Sequence, residues 1–65
     1  MRAYSGKDVC RVLEQRGWIL RRTKGSHHIY SKAGERWIIT VPIHGHRSLK
    51  PGLRRAILKM AGIEE

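Results

Sequence analysis

The run GWILRRTKGSHHIYSKAGERWIITVP, Gly17 to Pro42, holds three short segments rich in β-branched and aromatic residues, parted by two glycine-bearing breaks. Such segments favour the pleated, half-buried surface of a sheet, and short Gly-containing breaks favour reversal of the chain. Strands are expected over Trp18 to Thr23, His27 to Lys32 and Arg36 to Val41. The connections through Gly25 and through Ala33-Gly34-Glu35 are short enough for antiparallel hairpins. Pro42 ends the third strand because it has no N–H to give to a ladder.

On the N-terminal side the period changes from two to 3.6. Ser5 and Asp8 have the spacing of a capping box, and Val9, Val12 and Leu13 follow at helical spacing. A helix is expected from about Gly6 to Arg16. Gly17 is suited to the left-handed conformation that ends a helix, with Trp18 folding back on the last turn. Cys10 flanks the apolar stripe and reads as a small buried hydrophobe.

On the C-terminal side, Pro51 suits the first turn of a helix, where its missing N–H has no partner to lose. Leu53, Ala56, Ile57, Met60 and Ala61 then form an apolar stripe, and Gly62 closes the helix with Ile63 packing back on it. The order is α-β-β-β-α, an α+β class, with two amphipathic helices on one face of a three-stranded antiparallel sheet. The other face is left to solvent. In the third strand, Trp37, Ile39 and Val41 outweigh Ile38 and Thr40 in apolar area and are expected in the core. Burial alone does not orient the second strand, because Ile29 and Tyr30 both want cover.

A chain of 65 residues makes one domain, expected over residues 1–65. At this size roughly 60% of the unfolded surface is buried, so a partner chain is a reasonable source of extra stability. The lone cysteine permits no internal disulfide, which suits a reducing, cytoplasmic setting. No apolar run reaches membrane-spanning length, and the N-terminus lacks the layout of a secretory signal. Charge says most about partners. Fourteen Lys and Arg stand against five Asp and Glu, a net +9, and two of those acids are the last two residues. Such a surface gains from releasing counterions condensed on phosphates, so nucleic acid is the expected partner.

From residue 5 to residue 63 the chain resembles the HicA family of small toxins from bacterial toxin–antitoxin pairs. The resemblance is carried by "RGW" after the first helix, then "KGSHHIY", "TVPIH" and "LRRAILKMAGI", in that order and spacing. One departure is "KPGL", where the family more often has Gly-Thr-Leu, which bears on how the second helix is capped. The resemblance implies a double-stranded-RNA-binding-like fold and metal-independent cleavage of mRNA with no cofactor. It also implies neutralisation by a HicB-type antitoxin, through which oligomers could form. The family's functional histidine follows the Gly-Ser pair and maps to His27, and its usual aromatic maps to Tyr30. Tyr30 then turns inward and His27 outward, unless a one-residue shift of the strand exchanges His27 and His28.

RNA breaks most readily when its own 2′-OH attacks the neighbouring phosphate, which requires a base to take the hydroxyl proton. Histidine is the side chain whose ordinary pKa lies nearest neutrality. Lys24 is placed to offer positive charge to the phosphate, Gly25 to permit close backbone approach, and Ser26 to donate a hydrogen bond. Arg22, Arg47 and Lys50 are further phosphate candidates, as are Arg21, Arg36 and the helix-borne Arg54, Arg55 and Lys59. The proton for the leaving oxygen could come from His28, His44, His46 or water. His44 and His46 alone are too few ligands for zinc. The competing reading is a non-catalytic double-stranded-RNA-binding module, which reads phosphates and 2′-hydroxyls and has no use for a reactive imidazole. A DNA-contacting subunit explains the charge but not the Gly-Ser-His-His segment.

Overall fold

The computed structural model describes residues 4–45 and 47–63. Its elements run α1 (Gly6–Gln15), β1 (Ile19–Lys24), β2 (His27–Ser31), β3 (Ile39–Pro42) and α2 (Pro51–Met60), the α-β-β-β-α order read from the sequence. The strands form one antiparallel sheet in the order β1-β2-β3.

Helix α1 begins where the capping box predicts. The Ser5 hydroxyl accepts from the Asp8 N–H at 3.2 Å, and the Asp8 carboxylate accepts from the Ser5 N–H at 3.0 Å, so two donors at the helix start are satisfied reciprocally. Both helices end in the same way. Gly17 at φ 93° lets the Trp18 N–H reach the Leu13 carbonyl, and Gly62 at φ 74° lets the Ile63 N–H reach that of Leu58. In each case the apolar residue after the glycine is buried, Trp18 and Ile63 alike, so one motif both stops a helix and plugs the core.

The core takes Val9 and Leu13 from α1, Tyr30, Ile39 and Val41 from the sheet, Ile57 and Leu58 from α2, and Trp18, Leu49 and Ile63 from the connections. Each such side chain contributes roughly 1.5–3 kcal/mol on burial. The buried strand residues all share one face, the one that α1 and α2 cover. On the other face Arg22, Lys24, His27 and Thr40 stand exposed.

Three expectations are corrected. The third strand starts at Ile39, paired with Tyr30, and residues 32–38 form a loop whose turn is closed by Glu35 N–H to the Lys32 carbonyl at 3.1 Å. Trp37 therefore escapes the alternation that would have put it in the core. It is 52% exposed, with the Arg36 guanidinium 5.5 Å from its ring.

The buried face of α2 is also shifted by one position, to Arg54, Ile57 and Leu58 with Ala61 half-buried, while Leu53 and Met60 stay over 40% exposed. The helix carries two overlapping stripes that share Ile57 and Ala61. The fold selects the one whose Leu58 reaches the core and whose Arg54 lays its stem inward, its guanidinium 5.3 Å from the Tyr4 ring. Arg54 is thereby removed from the set of exposed phosphate candidates.

Candidate active site

The β1–β2 turn consists of Gly25 and Ser26. Gly25 has φ 57°, and no other residue type among those described takes a positive φ. A glycine at the first central position is what a II′ hairpin demands, and this turn matches the right-handed twist of the strands it joins. It fixes the register Lys24↔His27 and Thr23↔His28. A two-residue turn therefore decides which histidine faces where.

His27 lies on the open face, exposed, in one row with Lys24 and with its other cross-strand partner Pro42. His28 points through the sheet to the helix side, half-buried, its Nδ1 3.8 Å from the Cys10 sulfur. The one-residue exchange of the two rings is not what the register shows. Tyr30, two residues along on the same face, is buried and donates its hydroxyl to Glu14 at 2.6 Å. Glu14 escaped the sequence reading, since nothing in a helix face of charged residues marks which one meets a tyrosine.

Arg22 reaches the open face by an irregularity. Pairing runs Leu20↔Tyr30 and then Arg22↔Ile29, with Arg21 bulged between them, and an extra residue in one strand inverts the alternation beyond it. Without the bulge, Arg22 would share the helix side with Leu20. With it, Arg22 and Lys24 stand on the same face as His27, and Arg21 turns aside to donate to the Ser31 hydroxyl at 2.6 Å.

The third strand leads into a loop that stays at this end of the sheet. The Ile43 N–H donates to the Ser26 carbonyl at 2.6 Å, and the Arg47 N–H to the His44 carbonyl at 3.1 Å around Gly45. The Arg47 backbone is thus held beside His44. The loop then anchors to the start of α1 through Leu49 N–H to the Tyr4 carbonyl at 2.7 Å. Lys50 follows as the exposed N-cap of α2, in the helix layer and apart from the sheet-face row. His46 lies outside the described residues.

A cleft of about 280 Å³ opens on the opposite, helix-covered side, lined by Lys7, Cys10, Arg11, Glu14, Leu20, His28 and Tyr30. Its polar groups are turned toward one another. Burial pushes the Cys10 thiol up, and Glu14 adds to this against the hydrogen bond from Tyr30. Burial also pushes the Tyr30 phenol well up, reinforced by Cys10 and Glu14. Both stay protonated at neutral pH, so this side holds no thiolate nucleophile. Among the described residues, no group of three or more His, Cys, Asp or Glu is placed to hold a metal ion. No described helix is long and apolar enough to cross a membrane.

The fold and this face define a small basic α+β protein with one sheet face under two helices and the other open. The chain belongs to the HicA toxin family: the model of that family, described as the HicA toxin of bacterial toxin-antitoxin, matches residues 6–63. A solved structure, a chain from a toxin–antitoxin complex of Streptococcus pneumoniae, is similar over 91% of this chain and 97% of its own, with 38% identity and a TM-score of 0.76. No curated protein sequence matches the chain.

Proposed function

We propose that this HicA-family toxin is a metal-independent endoribonuclease that cuts mRNA, with His27 as the base that deprotonates a ribose 2′-OH. The observation that carries the reading is the single exposed row of Lys24 and His27 beside the open Gly25 turn, with Arg22 on the same face. A ribose–phosphate laid across it meets a proton acceptor and positive charge together. Positioned charge of this kind is worth most where negative charge develops in the transition state. Family membership and the likeness to a toxin–antitoxin chain support the reading and the partner it requires.

That partner is an antitoxin of the HicB type. It silences the toxin by covering His27 or by occupying the basic face in place of RNA, and it is the route by which the toxin enters an oligomer. An acidic surface on the partner suits a chain of net charge +9.

The test is cleavage of RNA by purified protein in excess chelator, with and without His27→Ala. Wild type should cut, and the variant should lose at least roughly a hundredfold in rate while still binding RNA. Binding without turnover in wild type would return the chain to the non-catalytic double-stranded-RNA reading. Full activity in the variant would remove His27 from the chemistry.

A further inference from the structure

A base that opens the attack does not finish the reaction, because the departing 5′-oxygen must leave as a hydroxyl. We infer that His44 is the general acid that protonates it, an assignment that rests on the nuclease reading above and completes it.

The argument is one of register. His27 is the cross-strand partner of Pro42, and the Ile43 N–H to Ser26 carbonyl bond of 2.6 Å carries the pairing one rung beyond the end of β3. His44 comes directly after this rung, at the end of the sheet where the Gly25-Ser26 turn lies. Two residues past Pro42 along an extended chain, a side chain returns to the same face, so His44 falls on the face of His27 as its diagonal neighbour. Such pairs stand about 7–8 Å apart. Beyond it the chain turns at Gly45, and the Arg47 N–H to the His44 carbonyl holds the residue at the turn's start.

At the adjoining turn a Cβ on Gly25 would meet nothing within 4 Å. Lys24, His27 and His44 are all exposed at this end of the sheet. In-line displacement at phosphorus puts the attacking and leaving oxygens on opposite sides. Acid and base must each lie within hydrogen-bond reach of one of them, so they must be separated rather than adjacent. A diagonal pair meets this requirement. The adjacent pair His27 and His28 does not, because the sheet stands between the rings and His28 packs on Cys10.

The step balances without another reactant. Neutral His27 takes the 2′-OH proton, O2′ forms a bond to phosphorus, and the bond from phosphorus to O5′ breaks as the His44 imidazolium gives its proton to O5′. The products are a 2′,3′-cyclic phosphate and a 5′-hydroxyl. Exchange of one proton each with water restores both rings.

The experiment uses an RNA oligonucleotide containing one 5′-bridging phosphorothiolate linkage, whose sulfur leaves without needing a proton, and the same oligonucleotide with oxygen. The full-length wild type, His44→Ala, His44→Gln and His27→Ala are compared on both. The His44 variants should cut the oxygen linkage roughly a hundredfold or more slowly than wild type and the sulfur linkage within a few-fold of it. His27→Ala should be slow on both. Equal loss on both linkages in the His44 variants, or no loss on oxygen, overturns the assignment to His44 and leaves the nuclease reading standing. A wild type that cuts neither linkage overturns the nuclease reading and this inference with it.

Discussion

His27 and His28 are chemically identical neighbours with opposite surroundings, one in solvent and one against the Cys10 sulfur. Replacing His28 by Ala should cost about 1 kcal/mol of stability in urea denaturation and leave RNA cleavage within a few-fold of wild type. Abolished cleavage in a folded His28→Ala protein would contradict the division of labour between the two rings. Tyr30→Phe removes the hydroxyl bonded to Glu14 and should cost about 0.5–1.5 kcal/mol.

The same tyrosine sets an alkaline limit. Its folded pKa is raised from the ordinary 10.0 and that of Cys10 from 9.0. Above these ordinary values the unfolded chain releases protons that the folded chain keeps. The stabilisation is complete below pH 9 and is lost as pH rises beyond it. Urea midpoints taken at neutral pH and at about pH 10.5 should fall more steeply in wild type than in Tyr30→Phe. Equal slopes would show that the phenol ionises freely in the fold.

At the scale of elements, the two faces of α2 make opposite predictions. Leu58→Ala should cost about 2–5 kcal/mol, because Leu58 is 3% exposed in the core. Met60→Lys should stay within about 0.5 kcal/mol of wild type, because Met60 faces solvent. Denaturant midpoints of the two variants decide between this stripe and the one suggested by counting apolar residues. Gly6 makes a sharper case at the start of α1. A Cβ there would strike the Pro42 carbonyl oxygen and come within 2.8 Å of Ile43 Cδ1. Gly6→Ala should therefore cost about 1–3 kcal/mol and, by pushing on Ile43, loosen the rung that ties the loop to Ser26. A thermal melt unchanged by Gly6→Ala would show that α1 can back away freely.

For the whole molecule the governing quantity is charge. Binding of single-stranded RNA should weaken linearly in log–log form with salt, with a slope of about −0.7 per phosphate neutralised. Arg22→Ala and Lys24→Ala should each reduce that slope by roughly 0.7, read by fluorescence anisotropy across a salt series. The bulge at Arg21 is what makes Arg22 count in this measurement. An unchanged slope for Arg22→Ala would mean that RNA does not track the open face.

Local chemistry in the chain was sufficient to determine its punctuation: the Ser5–Asp8 capping box, the glycines that end both helices, the Gly25 turn, and hence the α-β-β-β-α order, whereas the outward His27 was only implied by the family resemblance until the register fixed it. These depend on neighbours a few residues apart, and their physics is complete within a short window. Trp37, the α2 stripe, Arg22 and the Glu14 partner of Tyr30 were settled only in three dimensions. Each turns on where a ladder starts, where a bulge falls or which of two equivalent stripes meets the sheet. Those choices are made by contacts between distant segments, and periodicity within a segment fits either outcome equally well.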